Sequence, residues 1–247
     1  MFSIFGKKNK DLPTDLSGLS CDMHSHLIPG IDDGAKDMED SLSLIRGLVD
    51  LGYKKLITTP HILADFYPNT PEIILSGLAA VRAELVRQGI EVELYAAAEY
   101  LMDDHFTEKL ERNEPLLTLK DKMVLVELSF AVPTSNLKEI LFQVQLNGYQ
   151  PVLAHPERYL YFGADKTWYD QLKDAGCLFQ LNLLSIKGYY GKGSMELAQY
   201  LIKKGYIDLL GTDLHHERHL ENLRSTTRIQ DTVDKLLNSG KIINATL

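Results

Sequence analysis

Cysteine is scarce in this chain: Cys21 and Cys177 are the only two among 247 residues. No disulfide framework is expected, and a reducing cytoplasm fits. Long apolar runs are missing too. None approaches the roughly 18 residues needed to cross a bilayer, which argues against membrane insertion. Basic charge is outweighed, with 26 Lys and Arg against 34 Asp and Glu for a net charge of -8. A nucleic-acid surface would show a basic stripe, and none is visible. The start, Met1–Lys10, is basic and slightly apolar, but its apolar part is too short for a signal peptide. It reads as a mobile tail, within an N-terminal extension 1–20 that precedes one domain over 21–247. Asn244-Ala245-Thr246 matches the glycosylation pattern, by chance in a cytoplasmic chain.

What is present is a rhythm. Hydrophobic residues make up 45% of the chain and charged residues 24%, enough for a sizeable core. Short apolar runs read as buried strands at Ser20–Met23, Lys55–Thr59, Val92–Ala98, Met123–Leu128, Pro151–Ala154, Leu178–Leu183 and Asp208–Gly211. Between them lie helical patterns. Leu42, Ile45, Leu48 and Val49 share a face within Ser41–Leu51. Thr70-Pro71-Glu72 opens a helix with a capping hydroxyl, a first-turn proline and an acid at the positive dipole end. Ser135–Asn147 and Ser194–Lys204 behave similarly. Gly52, Gly89, Gly148, Gly176 and Gly205 fall where helix C-caps belong. Strict strand–helix alternation implies a parallel sheet with helices outside, so an α/β barrel of seven strands is expected, with an open doubly wound sheet as the alternative.

In parallel barrels the active site forms at the C-terminal ends of the strands. Those ends read Asp22-Met-His24-Ser-His26, Thr58-Thr-Pro-His61, Glu99, Glu127, His155-Pro-Glu-Arg158, Gln180-Leu-Asn182 and Asp213-Leu-His215. A single histidine or glutamate at such a place is usually a cap or a hydrogen-bonding residue. The joint pattern is different, because burying so many carboxylates and imidazoles without cations would cost several kcal/mol. Oxygen and nitrogen donors without thiolates suit Mn, Zn or Fe, and bridging carboxylates allow two or three ions. His216 and His219 read as solvated loop residues, and His105 as a surface residue at a helix start.

Cys21-Asp-Met-His-Ser-His26, Asp32-Asp-Gly34, Thr59-Pro-His61, Glu99, Glu127, Ala154-His-Pro-Glu-Arg158 and Thr212-Asp-Leu-His215 resemble the polymerase and histidinol phosphatase (PHP) superfamily. Within it the chain is most similar to the manganese-dependent protein-tyrosine phosphatases of bacterial capsule and exopolysaccharide systems. The resemblance runs from about Cys21 to about Leu237. It implies a distorted (β/α)7 PHP barrel with its metal site at the C-terminal strand ends. It implies metal ligation by His24, His26, Asp33, His61, Glu99, Glu127, His155, Asp213 and His215. Asp33 is preferred to Asp32 because the family acid directly precedes the glycine, here Gly34. Arg158 matches an arginine that holds phosphate. Arg218 is the nearest counterpart of a second one, at a different spacing from the Asp-x-His motif.

The implied cofactor is Mn2+, up to three divalent ions, with Zn, Fe or Mg as alternatives. The implied substrate is a phosphotyrosine-bearing protein, a bacterial tyrosine kinase. Three divalent cations would outweigh the carboxylates of Asp33, Glu99, Glu127 and Asp213, so an acidic protein can still attract a phosphate dianion. A metal-bridging hydroxide would then attack phosphorus. Cysteine chemistry is excluded, since arginine should follow the nucleophile by six positions and Leu27 and Leu183 stand there. Phe66, Tyr67, Phe130, Tyr159, Tyr161, Tyr189 and Tyr190 fall in loops over the mouth, where they either stack on a phosphotyrosine ring or pack their own loops. The competing readings are a histidinol-phosphate or other small-molecule phosphoesterase and, in another class, a non-catalytic metal-binding regulator.

Overall fold

A computed structural model describes residues 14–224 and 227–247. Nine short strands appear among them: β1 (Cys21–Asp22), β2 (Lys55–Thr58), β3 (His61–Ile62), β4 (Glu93–Ala96), β5 (Glu99–Leu101), β6 (Met123–Glu127), β7 (Gln150–Ala154), β8 (Leu178–Asn182) and β9 (Leu209–Gly211). Eight α-helices lie between and after them: α1 (Met38–Asp50), α2 (Pro71–Gln88), α3 (Asp104–Glu111), α4 (Leu137–Leu146), α5 (Thr167–Asp174), α6 (Lys192–Lys204), α7 (Glu217–Arg224) and α8 (Thr227–Asn238). The named strands pair in parallel throughout.

Two of the seven expected strands are each divided in two. Pro60 has no N–H for the ladder and separates β2 from β3. Opposite it, Ala97 and Ala98 separate β4 from β5. The result is two sheets, ordered β1-β2-β4 and β3-β5-β6-β7-β8-β9. They share the same two chain segments, so the order of neighbours runs on through the break.

The first and last strands meet along a seam. At the C-terminal end it is backbone: Asp213 N–H donates to the His24 carbonyl at 2.8 Å and His26 N–H to the Leu214 carbonyl at 2.9 Å. Below that, side chains take over. The Asp22 carboxylate accepts from the Thr212 N–H and hydroxyl, each at 2.9 Å. At the bottom, wholly buried Asn244 donates to the Cys21 carbonyl at 3.0 Å and the Leu210 carbonyl at 2.7 Å, and accepts from Leu210 N–H at 2.9 Å. Its burial makes the glycosylation match meaningless as a modification site.

Alternation along the strands separates two apolar clusters. Val124, Val126 and Leu153 pack outward with the helices. Cys21, Met23, Ile57, Ala97, Leu125, Val152, Ala154 and Leu209 form the inner cluster, against which Ile243 and Leu247 pack. Both cysteines are free and buried, as small core residues should be. Helix ends follow the sequence signals. Thr70 caps α2 by accepting from Ile73 N–H, and Gly89 closes it at φ 64°. The other four expected glycines also take positive φ.

Part of the expected 1–20 extension packs into the core. Residues 1–13 lie outside the described residues, but Leu16 and Leu19 are completely buried in the outer core. Leu16 N–H also donates to the Leu51 carbonyl. This single helical turn carries too few residues to show a period.

Replacing Asn244 by leucine strands backbone groups of β1 and β9 in the interior. Unfolding stability should fall by about 3 kcal/mol. The check is the urea midpoint, which should drop at unchanged slope.

Candidate metal centre

The inner-face alternation that builds the core continues past it. Ile57, Thr59 and His61 lie two apart, as do Ala97 and Glu99, and Leu125 and Glu127, so each pattern changes from apolar to ligating at the C-terminal end. Register places His61 beside Glu99. His155 and Asp213 need a further device: each takes a positive φ, 34° and 50°. Such backbone costs about 1–3 kcal/mol in a non-glycine residue and clusters at functional sites.

Glu99, wholly buried, lies at the middle. Its Oε2 is 3.1 Å from His24 Nε2, 3.5 Å from His26 Nε2 and 3.2 Å from His61 Nδ1, while Oε1 is 3.1 Å from His155 Nε2. Asp213 Oδ1 is 3.4 Å from His24, 3.6 Å from His26 and 3.4 Å from His215. Glu127 Oε1 is 3.0 Å from His61 Nδ1. Asp33 Oδ1 lies 3.4 Å from both His61 Nε2 and His215 Nε2.

Four groups can each hold an ion: His24, His26 and Asp213; His24, Glu99 and His155; His61, Glu99 and Glu127; and His26, Asp33, His61 and His215. All nine side chains expected from the sequence are brought together. The donors fit divalent cations. Ligands about 2.0–2.2 Å from one ion stand about 3.0–3.5 Å apart, the spacing found here. The buried Nδ1 atoms of His61 and His155 also lack hydrogen-bond partners, although His61 Nδ1 stands against two carboxylates.

A second layer aims the ligands. Asp32 Oδ2 pairs with His26 Nδ1 at 2.8 Å, and its other oxygen accepts from Gly34 N–H. Asp32 thus stands behind His26, while the half-exposed Asp33 lines the cavity. Gly34 is small from necessity: a Cβ there would sit 2.4 Å from that of His26. Gln180 Oε1 meets His24 Nδ1 at 2.9 Å, and the Asp213 carbonyl meets His215 Nδ1 at 2.9 Å. In both rings Nε2 is left for the site.

Arg158 forms the cavity wall and donates to Asp213 Oδ2 at 2.7 Å. Asn182 donates to the same oxygen at 2.8 Å. Arg218 is exposed on α7 with its guanidinium over Tyr189, and it is not among the residues lining the cavity. His216 and His219 do line it, and His219 is buried. The sequence suggests solvated loop residues at both positions, because two isolated histidines past a motif carry no period. The available signal was their position: His219 lies four residues after His215, and its Nδ1 faces the His215 N–H. Burial, with His216 beside it, pushes the His219 pKa down to about 3. Burial likewise pushes both cysteines up to about 12, far from a thiolate nucleophile.

Fold and site together define a parallel α/β protein built to hold a cluster of divalent cations at its strand ends. The sequence matches the family "Capsular polysaccharide synthesis, CpsB/CapC" over residues 20–240, and the chain belongs to that family. It is 28% identical over 196 residues to the tyrosine-protein phosphatase YwqE of Bacillus subtilis (79% of this chain, 77% of the relative). It is 26% identical over 200 residues to the tyrosine-protein phosphatase CpsB of Streptococcus agalactiae (79% and 82%). A solved structure from work on YwqE of B. subtilis and CpsB of Streptococcus pneumoniae, metal-dependent tyrosine phosphatases, superposes with a TM-score of 0.77 at 25% identity (89% of this chain, 86% of the other). The lactonase Lmo2620 of Listeria monocytogenes shares the fold at a TM-score of 0.52 and 12% identity, over 94% of this chain and 92% of the other.

Burial alone would hold these imidazoles neutral, but the carboxylates prevail. Asp32 lifts His26 to about 10, Glu99 and Asp213 raise His24, and Glu99, with Asp33 and Glu127, raises His61 well above its ordinary value. At neutral pH the metal-free His26 and His61 rings are therefore protonated, whereas burial lowers His155, and a cation must displace the protons that are bound. Metal affinity should rise with pH, about tenfold per unit for each proton released, and weaken in acid. Calorimetric titration with Mn2+ in buffers of different ionisation enthalpy will count the protons.

Proposed function

We propose that the chain is a metal-dependent protein-tyrosine phosphatase acting on a tyrosine-phosphorylated protein, specifically a bacterial tyrosine kinase that regulates capsule or exopolysaccharide synthesis. The observation that carries this reading is the convergence of nine imidazole and carboxylate side chains, six of which line one cavity walled by Arg158. The relatives' activity supports it. In this assignment His24, His26, Asp33, His61, Glu99, Glu127, His155, Asp213 and His215 hold up to three divalent ions, Mn2+ foremost. Bound divalent cations supply positive charge for the phosphoryl oxygens and an acidified nucleophile.

Arg158 binds the phosphoryl oxygens through guanidinium N–H groups, charge-assisted bonds of the stronger kind. Its present bond to Asp213 fixes where that guanidinium stands. Asp213 does two tasks at once, with Oδ1 toward the imidazoles and Oδ2 toward Arg158 and Asn182. Arg218 is left out of the phosphate site because of its exposed position. Tyrosine has a pKa near 10, so departing tyrosinate needs less protonation than an aliphatic alkoxide would. Among the described residues no helix is long and apolar enough to cross a membrane. Two unpaired, buried cysteines fit work in the cytoplasm.

The deciding assay strips the protein of metal and adds back Mn, Mg, Zn or nothing, with a phosphotyrosine peptide and histidinol phosphate as parallel substrates. Mn-restored turnover selective for the peptide is expected. Turnover of the small phosphate alone would overturn the substrate, and no turnover with metals bound would overturn the enzyme. Arg158→Ala should lower kcat on the peptide about 100- to 1000-fold. Metal content by elemental analysis should stay unchanged; unaltered turnover would remove Arg158 from the reaction.

A further inference from the structure

Of the aromatic residues over the mouth, most are committed elsewhere. Tyr159 is buried, and its hydroxyl accepts from Leu128 N–H. The Tyr161 hydroxyl donates to the Ser129 carbonyl, and Tyr67 stacks on His61. Phe66 is exposed and outside the cavity lining. Two rings line the cavity, Phe130 and Tyr190, and they enclose Arg158. The guanidinium carbon is 4.1 Å from the Tyr190 ring centroid and 4.6 Å from that of Phe130.

The two rings differ in freedom. The Tyr190 hydroxyl accepts from Asn182, so that ring is fixed against the inner polar network. Phe130 has no polar tie. Its ring lies 5.5 Å from the ring of the candidate ligand His155, yet the residue is 49% exposed. A half-exposed phenyl group therefore stands beside both a candidate ligand and the phosphate-binding arginine.

We propose that Phe130 is the residue that selects aryl over alkyl phosphates, by stacking on the ring of the substrate. This rests on the phosphatase reading above, and it names what that reading leaves open. A phosphoryl group held by Arg158 carries its aryl ring one ester oxygen away. Aromatic pairs engage at about 4.5–7 Å between centroids, and with the Phe130 ring 4.6 Å from the guanidinium carbon such a substrate ring comes within its reach. An alkyl phosphate bound the same way presents no face to Phe130.

The test is a binding measurement on the divalent-cation-loaded protein, using phenylphosphonate and methylphosphonate, which carry no hydrolysable ester bond. By calorimetry the wild type should prefer the phenyl compound about tenfold, the size of one stacked ring pair with its buried area. Phe130→Ala should abolish that preference, weakening the phenyl compound about tenfold more than the methyl one, and Phe130→Trp should keep it. A preference intact in Phe130→Ala, or absent from the wild type, overturns the assignment. Equal weakening of both ligands overturns it too, since Phe130 would then act only by holding Arg158. Phenyl preference in a protein that hydrolyses no phosphotyrosine peptide would leave Phe130 as the aryl reader and overturn the phosphatase reading instead.

Discussion

A carboxylate with no access to water, ringed by four imidazoles, is the constraint on which this molecule turns. Glu99 cannot stay ionised at zero exposure unless positive charge stands against it. The histidines cannot stay charged in the interior without carboxylates. Each group's state is set by the others: burial would raise the Glu99 pKa, but His24 and His61 draw it well below the ordinary carboxylate range. Removing one member leaves an uncompensated charge, so the cluster is costly unless complete. Divalent cations resolve the same problem with fewer protons.

Such a cluster must be held against its own strain, and the surrounding residues do so at several levels. Asp32 and Gln180 fix ring orientations, while Gly34 and Gly211 keep Cβ atoms out of the space that His26 and His24 fill. The seam between β1 and β9 bears on the same end of the fold, because His24, His26, Asp213 and His215 all come from the two segments it joins. Backbone pairing there is limited to the last residues, and Asp22 and Asn244 complete it with side chains. Asp22 illustrates the cost: burial pushes its pKa up to about 6, and the two bonds from Thr212 only partly offset that.

Much of this was legible in the sequence. Alternation of apolar residues is a local signal, and when it ends in His, Asp or Glu on successive strands the chemistry at the shared mouth follows. All nine expected ligand positions converge for that reason, with Asp33 rather than Asp32 lining the cavity. What was not legible is non-local or conformational. No pattern announces that Asn244 fills a gap between two strands, one 34 residues and the other 223 residues before it. The break at Pro60 follows from its missing N–H, but the matching break at Ala97-Ala98 has no residue that forces it. Leu16 and Leu19 are core residues in a segment too short to show a period. Arg218 looked suitable by residue type, yet α7 turns its side chain out and brings His219 in.

The division of labour around Arg158 follows from the same electrostatics. An acidic chain can bind a phosphate dianion only where its own negative charge is cancelled, and the cavity walled by Arg158 is the proposed place. Arg158 stands at its edge, held by Asp213 below and by an aromatic ring on either side. Stacking a guanidinium between rings restricts its motion without consuming its N–H donors, so the planar fork stays available for oxygen. Asp213 alone would hold the arginine and neutralise it. The rings allow the arginine to be positioned while the carboxylate's other oxygen remains turned to the ligand cluster. On the proposed reading, phosphate affinity rests on Arg158, whose placement is shared between an ionic contact and two apolar ones, and aryl recognition rests on the Phe130 ring beside it.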